Sequence, residues 1–225
     1  MQKSLILASL LFCCFSVHSQ STLGFNLNGF IPVGELKKDS PEIWGGGFSV
    51  DFAAQMKDSP IHLGGLMSVT RYGSEVRKGD HGPNLRDVRV RRNNELISML
   101  GFIRLKPTVS GSFQPYADFL TGFSYIFTRA HYRDNSLNEP FDSVMDINDF
   151  VFNYGAGGGI EIFIDEYISF DISLRALRSS RANYLTSESV AYDIDNEVYH
   201  MEIRRSRFNH VTIGFGIKIL LSELN

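Results

Sequence analysis

The stretch at positions 153–164 reads NYGAGGGIEIFI, and its glycines first suggest a phosphate-binding loop. A dinucleotide-binding fingerprint that starts at Gly155 needs its third glycine at position 160, but that residue is Ile160. The fingerprint also needs a helix directly after it, and no Gly-Lys-Ser/Thr motif is present either. The chain continues instead as IEIFIDEYISF, which predicts a strand, a tight turn and a second strand. The stretch is therefore interpreted as part of a β-sheet.

Alternate residues of this stretch differ in character, as they do in a strand with two unlike faces. One face carries Tyr154, Ala156, Gly158, Ile160, Ile162 and Ile164. The other face carries Gly155, Gly157, Gly159 and Glu161. We expect the glycines of the second face to leave room for long side chains such as Arg175 on the next strand, and to allow a strongly curved sheet.

The same period-two alternation recurs in other parts of the chain. It is clear in GFSVDFAA (47–54), ADFLTGFSYIF (117–127), ISFDISLRAL (168–177) and HVTIGFGIKILL (210–221). Extended to the whole sequence, it predicts eight strands near 22–31, 42–56, 60–73, 94–107, 114–128, 149–164, 167–178 and 207–221. The strand at 94–107 is the least regular, because Leu100 and Phe102 occupy its otherwise polar face.

The connections between these strands alternate in length. Short segments at 57–60, 108–113 and 165–167 come after the second, fourth and sixth strands. Long polar segments centred on 32–42, 74–93, 129–148 and 179–206 come after the others, and residues 190–200 are compatible with an added hairpin. This sorting is typical of transmembrane barrels, with short periplasmic turns and long extracellular loops. The sequence therefore predicts an all-β fold, an eight-stranded antiparallel up-and-down transmembrane β-barrel.

Aromatic residues on the apolar faces cluster at the loop ends of their strands. The set consists of Trp44, Tyr125, Phe127, Phe150, Phe152 and Tyr154. A girdle of this kind marks a bilayer interface in membrane barrels. No stretch after the N-terminal segment holds 18 consecutive apolar residues, so the sequence predicts no membrane-spanning helix.

The first residues have the layout of a secretory signal peptide. A basic residue, Lys3, precedes an apolar run that is too short to span a bilayer as a helix. We predict cleavage before Gln20, which divides the chain into a signal peptide at 1–19 and an outer-membrane barrel domain at 20–225. Both cysteines fall within the signal, so the exported chain has no disulfide. The expected location is the outer membrane of a Gram-negative bacterium.

With its alternating strands, and with GAGGGIEIFI (155–164) before a tight turn and ISFDISLRAL (168–177), the chain resembles the small eight-stranded outer-membrane barrels of the OmpX and OmpA-barrel type. The resemblance covers the whole predicted exported chain. It implies periplasmic chaperones and the barrel-insertion machinery as partners during biogenesis. The sequence departs from that family in its last residues, LLSELN, where such barrels usually end on an aromatic residue.

The polar faces predict a barrel interior rich in charge. Its acids are Asp51, Asp118, Glu161 and Asp171, and its bases are Arg104, Lys106, Arg175 and Lys218. Side chains can fill an eight-stranded barrel, and an unpaired buried charge is costly. We therefore expect a neutralised network of paired charges that plugs the lumen. The alternative is a narrow channel or a lumen that holds a small apolar ligand.

The sequence contains few features that indicate a catalytic, metal or cofactor site. His210 and Thr212 share the inward face of the last strand, an arrangement that resembles lipid A deacylases, which are eight-stranded barrels with a His and a Ser. In that family the reactive site faces the lipid instead. No G-x-S-x-G motif occurs, and the histidines lack metal-ligand spacing. We predict no catalytic residue, metal or cofactor, and expect His210 to be a hydrogen-bonded lumen residue.

Two groups of loop arginines are candidates for binding anions. They are Arg86, Arg89, Arg91 and Arg92 in the second long loop, and Arg204, Arg205 and Arg207 in the fourth. Guanidinium groups suit the phosphates of lipopolysaccharide, so outer-membrane lipid and lipopolysaccharide are the expected partners. A formal net charge of −3 and the lack of interleaved aromatic residues argue against nucleic acid. The expected role is structural, or in surface interaction through the loops.

Overall fold

The computed structural model describes residues 20–41, 43–57, 59–79, 88–107, 111–133, 142–185, 190–193, 198–201 and 203–221. The predicted signal peptide at 1–19 and Arg86 lie outside these residues.

Eight strands form one closed antiparallel barrel. They are β1 (Ser21–Pro32), β2 (Gly45–Gln55), β3 (Ile61–Gly79), β4 (Val88–Leu105), β5 (Phe113–Arg133), β6 (Asp142–Phe163), β7 (Ile168–Ser179) and β12 (His210–Leu220). Each barrel strand pairs with the barrel strands before and after it along the chain, and β1 pairs with β12 to close the barrel, in a register that places Thr22 opposite Leu220. The predicted eight-stranded up-and-down topology is confirmed.

The middle strands are longer than the sequence predicted. β3 continues to Gly79 and β4 begins at Val88, and β5 continues to Arg133 with β6 beginning at Asp142. The segments 74–93 and 129–148 were expected to be loops, and most of their residues are strand instead. The alternation of apolar side chains fades there, but the backbone ladder continues past a bulge in β3 between Arg71 and Gly73.

The fourth long connection contains four short strands that pair outside the closed barrel. β8 (Arg181–Tyr184) pairs with β11 (Arg204–Arg207), and β9 (Val190–Asp193) pairs with β10 (Val198–Met201). The added hairpin that the sequence left open at 190–200 is therefore present. The first connection carries a short helix, α1 (Glu35–Asp39). In the described part of the chain, no helix has the length and apolar character needed to cross a membrane.

The two faces of the barrel wall agree with the predicted alternation. In β7 every second side chain is exposed and the intervening ones are buried. Leu27, Met99 and Phe150 on the outer wall are 70%, 63% and 64% exposed. A continuous apolar outer surface of this kind calls for an apolar environment around the barrel.

The predicted aromatic girdle lies on this outer wall. Trp44, Phe150, Phe152 and Tyr154 are exposed. Phe127 is buried instead, because Tyr125 stacks on it at 5.4 Å between ring centroids and the Arg129 guanidinium lies 5.5 Å from its ring.

Candidate functional site

A buried charge network fills the lumen near the short-turn end. On one side, the guanidinium of Arg104 in β4 makes two hydrogen bonds to the carboxylate of Asp118 in β5. Nε donates to Oδ1 at 2.7 Å, and Nη2 donates to Oδ2 at 3.0 Å. Its Nη1 lies 3.5 Å from Asp51 Oδ2, and Asn26 Nδ2 donates to the other oxygen of Asp51 at 3.0 Å. This bidentate geometry fixes the guanidinium between two carboxylates.

The other side of the network is built around a lysine. Lys218 of β12 donates to Glu161 Oε1 at 3.0 Å and to Asp171 Oδ1 at 2.8 Å. Lys106 donates to the second oxygen of Glu161. Lys218, Glu161 and Asp171 are each 1% exposed. Their charges are therefore neutralised by one another in the barrel interior and not by solvent.

Tyr116 joins the two sides. Its hydroxyl donates to Asp171, and its ring lies 4.2 Å from the Arg104 guanidinium and 4.0 Å from Lys218 Nζ. This residue was not predicted from the sequence. It lies two residues before Asp118, so the alternation of side chains in a strand would have placed it on the same inward face.

A second layer of the interior is apolar and closes the loop end. Its buried residues are Phe30, Leu36, Tyr72, Leu96, Ile126, Val151, Ala182, Tyr184 and Phe208. Tyr72 meets Phe208 edge-to-face at 4.9 Å between ring centroids. Leu36 comes from α1 and Tyr184 from β8, so the first and fourth connections fold back into the mouth of the barrel.

Polar contacts hold these two connections together. The Tyr184 hydroxyl donates to Asp39 Oδ2 at 3.1 Å, and Arg204 Nη1 donates to the backbone oxygen of Asp39. Burial raises the pKa of Tyr184 to about 12, so this hydroxyl keeps its proton near neutral pH. The cap on the loop end is therefore fixed by hydrogen bonds as well as by packing.

A third, apolar cluster lies between the charge network and this cap. It consists of Ala53, Leu66, Leu100, Phe102, Leu120 and Leu177. The irregular strand at 94–107 is explained by it, because Leu100 and Phe102 do point inward and are 3% and 4% exposed. The Phe102 ring also covers the Arg104 guanidinium at 4.7 Å.

Arg175 does not join the predicted network, which corrects the expectation of four paired bases. It is 3% exposed, and its Nε and Nη2 have no hydrogen-bond partner among the described residues. Gly157 makes room for it, since a Cβ there would lie 2.8 Å from Arg175 Cγ, as the sequence predicted. Arg175 lines a small cavity in the lumen, together with Ser68, Thr70 and other residues.

The predicted loop arginines separate into different environments. Arg92 is buried on the inward face of β4 and Arg91 points outward. Of Arg89 the structure describes the backbone, which pairs with Lys78 and Arg133. Arg204 faces α1, whereas Arg205 and Arg207 are exposed on β11.

The exposed face of the β8–β11 pair is strongly basic. Arg207 lies directly opposite Arg181, and Arg205 lies opposite Asn183 on the same face. Arg181, Arg205 and Arg207, which we call the arginine patch, are exposed and form no ion pair with the described residues. Two carboxylates lie alongside and bind backbone N–H groups: Glu35 accepts from Arg207 and Asp149 from Asn183.

His210 and Thr212 both face the lumen, as predicted. His210 is 3% exposed, its Nδ1 lies 3.2 Å from the backbone oxygen of Phe208, and its ring stacks on Phe30 at 4.8 Å. No group of three or more His, Cys, Asp or Glu side chains within the described ranges is placed to hold a metal ion.

A groove lies on the outer wall beside the glycine-rich stretch of β6. It has a volume of about 330 Å³ and runs over Gly158 and Gly159 between the isoleucines of β6, β7 and β12. It opens away from the lumen, so it offers apolar surface to the surroundings of the barrel and not to its interior.

No protein-family model matches the sequence, and no curated protein matches it. Among solved structures, the chain is similar to Neisserial surface protein A, with a TM-score of 0.50 and 8% sequence identity over 88% of this chain and 96% of that chain. It is also similar to a major outer membrane protein of Thermus thermophilus (TM-score 0.46, 13% identity, 88% and 99% of the two chains). A third similar structure is the outer membrane protease OmpT of Escherichia coli (TM-score 0.43, 10% identity, 90% and 95%). With its closed antiparallel topology, the chain has the fold of the small eight-stranded outer-membrane β-barrels.

Proposed function

We propose that this chain is an outer-membrane protein with a sealed, non-conducting barrel, whose role is structural or in surface interaction at the loop end. The observation that carries the proposal is that buried side chains fill the lumen at two levels. The network around Arg104 and Lys218 fills one level, and the cap around Tyr72 and Phe208 fills another. A channel needs a continuous water-filled path, and two levels filled with buried side chains support the absence of one.

Conductance of the purified full chain in planar bilayers tests the seal. We expect no steady single-channel openings at neutral pH. Steady openings would refute the sealed lumen and favour the channel alternative. Location is tested separately by heat-modifiable gel migration of the protein from outer-membrane fractions, where a species confined to the periplasm would contradict the proposal.

The surface interaction that the structure favours is with the phosphates of lipopolysaccharide. In the arginine patch, Arg181 and Arg207 lie side by side, and like charges directly opposite on paired strands are destabilising unless an anion lies between them. Arg178 precedes the patch on the outer wall of β7, opposite the girdle residue Tyr154. This position, just beyond the aromatic girdle, supports contact of the patch with lipid headgroups. Guanidinium groups bind phosphate in a bidentate manner.

Lipopolysaccharide retained on the purified protein measures this interaction. We expect the triple variant Arg181→Gln, Arg205→Gln, Arg207→Gln to retain several-fold less lipopolysaccharide than the unaltered chain. Lys57→Gln is a matched control, because it removes an exposed cation at the turn between β2 and β3, at the opposite end of the barrel. Equal retention in all three proteins would exclude the arginine patch as the binding surface. The same assay on Arg91→Gln tests the second predicted group of arginines.

A further inference from the structure

We propose that the lumen contains a binding site for one small monovalent anion of halide size, held by the guanidinium of Arg175. This site is separate from the arginine patch and does not depend on a surface role. It lies inside the barrel between the charge network and the apolar cap.

Arg175 is a buried permanent charge, and two of its donor atoms lack an acceptor among the residues that the structure describes. Arginine stays protonated in proteins, so Arg175 cannot relieve its burial by losing a proton. Its Nε and Nη2 are buried donors without an acceptor in the described part of the chain. Arg104, Lys106 and Lys218, the other inward bases predicted from the sequence, each have a carboxylate within 4.0 Å. Arg175 is the exception in an otherwise paired set.

The carboxylates of the lumen are already engaged by other groups. Asp118 and Asp51 contact Arg104, and Asp171 accepts from Lys218 and Tyr116. The four acids and four bases balance formally, but a hydrogen bond needs an acceptor within about 3 Å of the donor. Formal balance across the lumen therefore does not provide an acceptor for Arg175.

The cavity beside Arg175 has the size and the lining that a small anion needs. Its volume is about 20 Å³, which is room for one water-sized particle. Its lining residues include Arg175 and three residues whose hydroxyl groups can donate to an anion, Ser68, Thr70 and Thr212, together with leucines from the neighbouring apolar clusters. An anion seated there would lie beside the fixed positive charge of Arg175, which is buried, and electrostatic attraction is stronger among buried groups than in water.

The side-chain amide of Asn28 lines the same cavity and can adapt to an anion. As placed, its Nδ2 donates to Ser49 Oγ at 2.8 Å and its Oδ1 has no partner among the described residues. A half-turn of the amide would let the Ser49 hydroxyl donate to Oδ1 and would release the Nδ2 donors. We expect the anion-bound form to have this orientation.

Bromide is the probe for this site. Crystals of the full chain grown in sodium bromide should show an anomalous peak within hydrogen-bond distance of the Arg175 guanidinium. The peak should disappear in Arg175→Met and remain in Arg178→Met, which removes an exposed outward arginine from the same strand. No peak at Arg175, or a water alone, would overturn the proposal. A peak that persists in Arg175→Met would also overturn it.

If Arg175→Met does not fold, the melting temperature of the unaltered chain in solution still tests whether bromide binds. At constant ionic strength, replacing gluconate with bromide should raise the melting temperature of the unaltered chain by about 3–5 °C for each tenfold excess over the dissociation constant. Arg178→Met should show the same rise. A melting temperature that is the same in both salts would overturn the proposal for the unaltered chain.

Discussion

The hydroxyl of Tyr116 on β5 donates to Asp171 Oδ1 on β7 at 2.9 Å, reaching past Gly159 of the intervening strand β6. The ring of the same tyrosine lies against both Arg104 and Lys218. One aromatic side chain therefore contacts both sides of the charge network, and the faces of an aromatic ring attract cations. Tyr116 is therefore a direct link between the two sides of the network.

Tyr116→Phe tests that link. The variant keeps the ring between the two cations and removes the hydrogen bond to a charged acceptor, so we expect a loss of about 1.5–3 kcal/mol in the free energy of unfolding. Urea denaturation of the folded barrel in detergent, monitored by heat-modifiable migration, measures it. Tyr154→Phe on the exposed outer wall is the control and should have little effect. Equal stability of the two variants would show that the Asp171 bond contributes little.

Lys218→Met should destabilise the barrel by about 3–5 kcal/mol, because it removes one partner of a buried pair and leaves carboxylates with less compensation. The double variant Lys218→Met, Asp171→Asn removes both charges and should recover most of the loss. The difference between the two variants in urea midpoint reports the cost of the unpaired carboxylate. A single variant as stable as the unaltered chain would contradict the pairing of Lys218 with these carboxylates.

Gly159→Ala should disturb the charge network through direct contact with Tyr116. A Cβ at this position would lie 2.5 Å from the Tyr116 hydroxyl and 2.5 Å from the backbone oxygen of Ile172, so the tyrosine must move. We expect a cost of about 1–3 kcal/mol from this overpacking. Gly65→Ala is a matched control on the outer wall, where the nearest atom to an added Cβ is 3.8 Å away. The same urea assay compares them, and equal stability would argue against a close fit at Gly159.

Lipid A incubated with the purified protein should keep its mass. His210 lies inside the barrel beneath Phe30, away from the outer wall that would meet lipid A. Mass spectrometry of the recovered lipid A measures the outcome, with His210→Ala as the comparison. Loss of an acyl chain that depends on His210 would establish the hydrolase alternative.

Much of the barrel could be predicted from the sequence, because alternation in a strand reports two different environments. The outward side chains of β7, for example Ile172 and Leu174, and the inward Asp171 and Arg175 were assigned to the correct faces. Such a pattern is read locally, one strand at a time, and needs no knowledge of strand partners.

The features that could not be predicted depend on register and on depth. The opposition of Arg181 and Arg207 results from the pairing of β8 with β11, which no local pattern specifies. The neighbours of Arg175 depend on the registers of β7 with β6 and β12, which place it opposite Gly157 and Thr212 and not opposite a carboxylate. The extensions of β3 to β6 were missed because backbone pairing continues where hydropathy no longer alternates.

The pairing of β1 with β12 joins the first and last strands of the barrel, from Thr22 opposite Leu220 to Pro32 opposite His210. Every other ladder of the barrel forms between strands that succeed one another around its wall in chain order, so this seam requires the longest loop closure of the fold. Until it forms, β1 and β12 each present a row of unsatisfied N–H and C=O groups, which invite pairing with other chains. The interval before this closure is therefore the period in which the edges of β1 and β12 are most open to pairing with other chains.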